Sequence, residues 1–232
     1  MTIDAIIKEL EALGNPEKVA FKQQKFGIIS KNALGIYHKD LKEIAKRVGK
    51  NNDLAKALFE TNIYEARLLC SKLFKPKDVT EDLMEKWLLT FENWEICDSF
   101  SMGLFSKSPF AISKIIEWST RSAVFEKRAS FATLSSYCMA DKKAANSVFE
   151  QFFPLIYQAA DDERIYVKKA VNWALRSIGK RNVDLNQRAI EEAHKIEALA
   201  YKSAKWIAKD ALRELQQEKV NILDYPRAIY RP

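Results

Sequence analysis

Hydrophobic residues recur at three- and four-residue spacing along most of the chain, which is typical of amphipathic helices. In residues 2–13, for example, Ile3, Ile6, Ile7 and Leu10 form one apolar stripe. No segment shows the sustained apolar–polar alternation of a half-buried strand. The pattern predicts further helices over residues 17–30, 39–49, 51–60, 62–74, 80–91, 93–105, 109–119, 123–138, 143–158, 162–179, 184–196 and 198–218.

Helices of this length, arranged in pairs, are typical of HEAT and armadillo repeats. The chain contains only six Gly and six Pro in 232 residues, which favours short connections between helices. We therefore predict an all-α, right-handed α-solenoid of HEAT- or ARM-like repeats. It would form a single domain over residues 1–232, with a short C-terminal tail at about 220–232. Because no strict sequence period stands out, a globular helical bundle is the alternative.

The charge balance favours a polyanionic partner. Lys and Arg number 38 against 31 Asp and Glu, which gives a formal net charge of +7, and the sequence pI is about 9.1. Such a surplus is typical of proteins that bind nucleic acid, although a membrane surface would also fit.

The cysteines, histidines and chain start indicate the compartment. Cys70, Cys97 and Cys138 are far apart, and His38 and His194 are isolated, so neither a disulfide framework nor a zinc-site spacing is present. The N-terminus lacks the pattern of a signal peptide, and no apolar stretch reaches membrane-spanning length. We expect a cytoplasmic protein without a metal, a cofactor or a membrane partner.

A short stretch combines an indole with a carboxylate. Trp94 and Asp98 are four residues apart, which places them one turn apart on the same side of a helix. An aromatic face beside a carboxylate can bind a cationic group. The alternative is a Trp that packs in the core beside a solvated Asp.

Two later helices repeat one pattern of cations around a Trp at offsets of 0, 4, 7 and 11 residues. One stripe consists of Lys169, Trp173, Arg176 and Lys180, and the other of Lys202, Trp206, Lys209 and Arg213. A smaller version occurs at Lys114, Trp118 and Arg121.

The apolar side of the first of these helices is the natural core contact, and it consists of Val167, Val171, Ala174 and Ile178. Side by side on one surface of a solenoid, the two stripes would form a positive track that binds phosphates and sugars. The alternative is that Lys and Arg stems cover half-buried indoles.

Taken together, several segments resemble the AlkD-like alkylpurine DNA glycosylases. They are Trp94-x3-Asp98, Lys127-Arg128-Ala129 and the run from Val167 to Arg176, with weaker likeness at Gly14–Lys18 and Leu34–Ile36. The resemblance extends from about residue 10 to residue 185. Its order and spacing are more specific than any one motif.

The resemblance implies a HEAT-like solenoid that binds duplex DNA containing alkylated bases. It implies a monofunctional glycosylase, acting as a monomer without metal or cofactor and without a deep base pocket, on positively charged N3- and N7-alkylated purines. Asp98 would be the catalytic carboxylate, and Trp94 and Trp173 would flank the deoxyribose. Arg128 would hold Asp98 or the DNA backbone, and Arg176 would contact a phosphate.

The chain also differs from the pattern of that family at several positions. Phe26 stands where the family has a DNA-facing Tyr, Ser136 where a groove Lys would fall, and Asn93 in a segment that often carries paired aromatics and an Asp. Two alternatives to an enzyme follow. One is a non-catalytic DNA- or RNA-binding protein on the same scaffold. The other is a repeat protein whose groove binds an acidic helix or peptide.

Overall fold

The computed structural model describes residues 1–221, and all regular secondary structure in this part of the chain is helical. The α-helices are α1 (Ile3–Leu13), α2 (Pro16–Phe26), α3 (His38–Val48), α4 (Asn52–Glu60), α5 (Tyr64–Leu73), α6 (Glu81–Leu88), α7 (Trp94–Gly103), α8 (Ala111–Ser119), α9 (Val124–Ala140), α10 (Asn146–Glu150), α11 (Phe153–Gln158), α12 (Ile165–Gly179), α13 (Val183–Glu197), α14 (Lys202–Leu215) and α15 (Glu218–Asn221). Short 3₁₀ helices lie at Pro76–Asp78, Phe105–Lys107 and Ala159–Asp161. The prediction of an all-α chain is confirmed for residues 1–221. The predicted tail at 220–232 lies almost wholly outside the described residues.

Contacts along the chain fall into two compact units, residues 1–109 and the residues from 110 onward. The single domain expected over 1–232 therefore stays a prediction.

In the first unit, α5 is the central helix. It packs against α3, α4 and α7, and most of its residues are buried. Beside it lies a cluster of aromatic rings around Trp87, whose ring centroid is 5.2 Å from Phe74 and 5.3 Å from Phe100. This burial fixes α5 and α7, the two helices that carry the candidate site.

In the second unit, α9 packs against α8 and α12, while α13 and α14 pack against α12 and each other. The predicted core stripe of α12 is fully buried, as expected: Val167, Val171, Ala174 and Ile178 each have no exposed surface. The opposite side of α12, which carries Lys169 and Trp173, faces away from that core.

Several predicted helix boundaries are wrong, and three helices differ most from the prediction. The helix expected over 17–30 ends at Phe26, because Gly27 adopts a left-handed conformation (φ 65°) and its N–H bonds to the Gln23 carbonyl. The helix expected over 143–158 is two helices, α10 and α11. Pro154, in the first turn of α11, lacks an N–H to continue the ladder from α10. The helix expected over 198–218 begins only at Lys202 and is also divided, into α14 and α15, with no Gly or Pro between these two helices.

A buried carboxylate holds the connection between α2 and α3. Glu65 of α5 accepts hydrogen bonds from the backbone N–H groups of Leu34, Gly35 and Ile36, at 2.8, 2.8 and 3.2 Å. Gly35 has a φ of +82°, and a Cβ there would lie 2.2 Å from the Asn15 carbonyl oxygen. The close approach of the α1–α2 turn therefore requires glycine at this position.

Candidate functional site

Trp94 and Asp98 line the same cleft, of about 420 Å³, in the first unit. Both lie on α7, one turn apart as their spacing predicts, and both are half-buried. Three basic side chains, His38, Lys42 and Lys72, also line the cleft. The cleft thus combines an indole, a carboxylate and several cations, in a volume typical of small-ligand sites.

Asn93 determines where α7 begins. Its side-chain oxygen accepts hydrogen bonds from the backbone N–H groups of Glu95 and Ile96, at 3.0 and 3.2 Å, which caps the helix. Its amide also donates to the Ile29 carbonyl at 3.1 Å. Because Trp94 is the first residue of α7, this cap positions the indole at the edge of the cleft.

The indole of Trp94 is held by a distant backbone group. Its Nε1–H donates to the Phe26 carbonyl oxygen at 2.9 Å. The Phe26 side chain is 44% exposed, packs edge to face on Phe21 with centroids 5.7 Å apart, and has the Lys25 ammonium 5.8 Å from its ring. Phe26, which is predicted to face DNA, is therefore available to a partner.

Glu95 lines the cleft and forms a buried ionic network there. Its carboxylate lies 2.7 Å from Lys22 Nζ, 3.4 Å from His38 Nε2 and 2.9 Å from the Tyr64 hydroxyl. Burial opposes ionisation of Glu95, but the hydrogen bonds from His38 and Lys22 outweigh it, so its pKa lies below the usual value. Burial and the neighbouring Glu95 charge raise the pKa of Tyr64, which stays a neutral donor.

Helices α5 and α7 touch directly at the base of the cleft. The hydroxyls of Ser71 and Ser99 are 2.9 Å apart, and a Cβ at Gly103 would lie 2.9 Å from the Ser71 carbonyl oxygen. Lys72 follows Ser71 and Asp98 precedes Ser99, so this contact brings an amine and a carboxylate to the same cleft. Desolvation and the nearby Lys42 charge lower the pKa of Lys72 to about 8.

The remaining predicted catalytic residues lie in the second unit. Arg128 on α9 is 6% exposed, and its guanidinium donates to the Tyr166 carbonyl at 2.7 Å. Trp173 on α12 is half-buried. The roles expected for Arg128 and Trp173 toward DNA stay predictions.

The two cation–Trp stripes are accompanied by carboxylates. Arg176 forms ion pairs with Asp210 and Glu214 of α14, and Lys180 Nζ lies 2.7 Å from Glu214. Burial opposes ionisation of Glu214, but Lys180 and Arg176 outweigh it, so its pKa lies below the usual value. Asp210 also pairs with Arg213. Asp210 and Glu214 follow Trp206 at helical spacing, so they belong to the same part of α14 as the predicted cations. The predicted stripe included only the cations.

The other stripe residues are more exposed to solvent. Lys169, Lys202, Lys209 and Arg213 are exposed, and Trp206 is 39% exposed, with the Lys168 ammonium 5.6 Å from its ring. The smaller stripe differs, since Trp118 has no exposed surface and Lys114 only 5%. These two residues belong to the core, so that stripe is not a binding surface. Ser136 is also buried and donates to the Ala132 carbonyl.

Among residues 1–221, no group of three or more His, Cys, Asp and Glu side chains could hold a metal ion. None of the helices described is both long and apolar enough to span a membrane. All three cysteines are free and buried.

Several residues of the cleft were not among the site residues predicted from the sequence. Glu95 looks like an ordinary surface charge and His38 looks isolated, because their partners come from helices far apart in the chain. Lys72 also looks like an ordinary surface charge, because the rest of the cleft comes from other helices. The one local signal was Asn93, a typical N-cap residue directly before Trp94.

The sequence profile of a family described as DNA alkylation repair enzyme matches residues 6–215 of this chain. Protein Lin0241 of Listeria innocua is 25% identical over 199 residues, which cover 84% of this chain and 87% of that protein. Protein Lmo0209 of Listeria monocytogenes is 32% identical over 97 residues, which cover 40% and 43% respectively.

One solved structure is similar over nearly the full length. It is described as "a new family of proteins related to the HEAT-like repeat DNA glycosylases with affinity for branched DNA structures". The TM-score is 0.77 at 19% identity, and the match covers 97% of this chain and 98% of that chain. This likeness confirms the predicted fold of HEAT-like repeats over the alternative of a globular bundle.

Proposed function

The chain belongs to the DNA alkylation repair enzyme family, and we propose that it is a DNA glycosylase which hydrolyses the N-glycosidic bond of positively charged N3- and N7-alkylated purines. The observation that supports this most directly is that Trp94 and Asp98 line one cleft. Duplex DNA carrying such lesions is the proposed substrate, and the protein would act on it as a monomer.

The chemistry needs few groups. An alkylated purine already carries a positive charge, so the bonding electrons pass to the base and a neutral purine leaves C1′ without protonation. The sugar gains oxocarbenium character, which the Asp98 carboxylate would stabilise. Water then forms the new bond to C1′ and releases one proton to the solvent. The Trp94 face would favour a cationic nucleotide over a neutral one.

The second unit would supply DNA contacts. Trp173 would pack against the deoxyribose, and Arg128 would contact Asp98 or the DNA backbone. The exposed side chains Lys169, Lys202 and Lys209 would contact phosphates. Arg176 and Lys180 would do so only in competition with Glu214, their present ion-pair partner.

The test is release of bases from methylated duplex DNA. We expect the wild type to release 3-methyladenine and 7-methylguanine, and Asp98→Asn to lose at least about two orders of magnitude in rate, as when a charge that stabilises the transition state is removed. Asp82→Asn makes the same charge change at an exposed position of α6 and should keep the wild-type rate. Equal release by Asp98→Asn and wild type would refute the role of Asp98.

A second candidate function is DNA binding without excision. It is favoured by the similar solved structure, whose family is described as having affinity for branched DNA. This function predicts that the wild type binds a four-way junction more tightly than a linear duplex of equal length. It also predicts that Asp98→Asn binds both equally well and that no purine is released by either protein.

A further inference from the structure

Lys72 is placed unusually for a lysine that lines a cleft. It lies near the C-terminal end of α5, beside the direct contact between Ser71 and Ser99, and it is half-buried. Within residues 1–221, its ammonium has neither a hydrogen bond nor an ion pair, although Asp98 lines the same cleft. A partly desolvated ammonium without a partner is costly, so the side chain is poised to lose its proton.

The surroundings of Lys72 favour the neutral amine. Desolvation has the largest effect, and Lys42 and Lys50 add positive charge nearby, against the opposite effect of Glu95. Lys50 Nζ is held close because it donates to the Lys72 carbonyl at 2.8 Å. With a pKa of about 8, roughly a tenth of the amine is neutral at pH 7, far more than for an ordinary lysine. A neutral amine in a cleft is a nucleophile toward carbonyl carbon.

We propose that Lys72 forms an imine with the C1′ aldehyde of abasic DNA. This inference rests on the proposed function, because removal of a purine leaves an abasic deoxyribose whose open form carries that aldehyde. It adds a covalent step after the hydrolysis and thereby differs from the monofunctional excision implied by the resemblance.

The step balances without a further reactant. The nitrogen lone pair of Lys72 attacks C1′, a carbon–nitrogen bond forms, and the carbonyl oxygen leaves as water with both amine hydrogens. Hydrolysis reverses the reaction and returns the free lysine and the aldehyde. The consequence is that the protein retains its own abasic product reversibly, in a cleft of about 420 Å³ that also holds Asp98 and Trp94.

The experiment supplies the abasic site ready-made. A duplex with one uracil is converted to abasic DNA, mixed with the full chain and treated with cyanoborohydride, which reduces an imine to a stable amine. A covalent protein–DNA band on a denaturing gel is expected for the wild type. Lys72→Arg keeps the positive charge but cannot form the imine, so the band should fall at least about tenfold.

Two controls make the result specific. Lys86→Arg, at an exposed lysine of α6, should give the wild-type band. Mass mapping of the trapped wild-type protein should place the deoxyribose remnant on Lys72, which tests the proposal even if Lys72→Arg folds poorly. No trapping, trapping mapped to another lysine, or an unchanged band for a folded Lys72→Arg would each overturn the proposal.

The two proposals fail separately. Trapping at Lys72 without release of methylated purines would contradict the glycosylase and leave the imine step intact. Release of methylated purines without trapping would support the glycosylase and overturn the imine step.

Discussion

The indole N–H of Trp94 donates a hydrogen bond of 2.9 Å to the main-chain carbonyl of Phe26, 68 residues earlier in the chain. The acceptor is a backbone atom, so its position depends on where α2 ends and only weakly on the Phe26 side chain. Gly27 ends that helix in a left-handed conformation. The cleft around Asp98 therefore depends on a helix C-cap in a distant part of the same unit.

Replacing Trp94 with Phe should slow the release of methylated purines. The change keeps an aromatic face but removes the donor to the Phe26 carbonyl, and one hydrogen bond is worth about 0.5–1.5 kcal/mol, or about two- to thirteenfold in rate. The measurement is single-turnover release of 3-methyladenine. Tyr157→Phe, which removes a hydroxyl from a ring in the second unit, should leave the rate unchanged. A Trp94→Phe rate equal to that of the wild type would show that the bond does not position the indole.

Gly35→Ala should destabilise the protein more than Gly49→Ala. Both glycines have positive φ, +82° and +73°, so each alanine is strained by about 1–3 kcal/mol. Only at Gly35 would the new Cβ also meet backbone, 2.2 Å from the Asn15 carbonyl oxygen, whereas nothing lies within 4 Å at Gly49. Urea unfolding of both variants measures the difference. Equal urea midpoints for the two variants would show that the α1–α2 turn accommodates the new Cβ without loss of stability.

Glu95→Gln should lower the free energy of unfolding by about 3 kcal/mol near neutral pH, because it leaves the buried Lys22 ammonium without its partner. The folded-state pKa of Glu95 is lowered, so its stabilisation is present above the usual value of 4.5 and is lost as pH falls through the folded pKa. The difference between wild type and variant should therefore shrink below about pH 4.5.

The matched control for this prediction is Glu60→Gln. Glu60 pairs with Lys86, and both side chains are exposed, so the change should cost at most about 1 kcal/mol. Denaturant unfolding between pH 3 and pH 7 measures both variants. A Glu95→Gln difference that is constant over this range would contradict the linkage.

Glu214→Gln should tighten binding to duplex DNA. The substitution removes the Glu214 carboxylate, which pairs with both Arg176 and Lys180, while Arg176 keeps its ion pair with Asp210. If these cations contact phosphates, log K should fall more steeply with log salt, by about 0.9 for each additional phosphate. Titrations at several salt concentrations measure this slope. Glu197→Gln, the same change at an exposed position of α13, is the control, and an equal slope for both variants would exclude Arg176 and Lys180 from the interface.

Imine trapping should increase with pH and level off above about 8, because only the neutral amine of Lys72 reacts and its lowered pKa is about 8. The charged and titratable groups around Lys72 are His38, Lys42, Lys50, Glu95 and Asp98. The rate of adduct formation from pH 6 to pH 10 measures the midpoint. A midpoint near 10.5, the ordinary lysine value, would show that the cleft does not activate this amine.

Local patterns predicted much of the fold. The apolar stripe of α12 is buried as its periodicity indicates, and Trp94 and Asp98 share one side of α7 as their spacing requires. Helix ends were less accurate: the end of α2 at Gly27 and the break before α11 at Pro154 were both missed, and no Gly or Pro marks the start of α14. These features depend on neighbours within a few positions along the chain.

The sequence alone therefore determined the all-α class, the helix pairs and the pairing of Trp94 with Asp98, because helical geometry converts short spacings directly into shared faces. Only the tertiary structure decided which charges are neutralised and which polar groups meet. Glu95 acquires Lys22, His38 and Tyr64 from three other helices, and Glu214 pairs across from α14 to Arg176 of α12. Lys72 lines the cleft because two serine hydroxyls bring α5 against α7. Such contacts join residues tens of positions apart, and no local spacing encodes them.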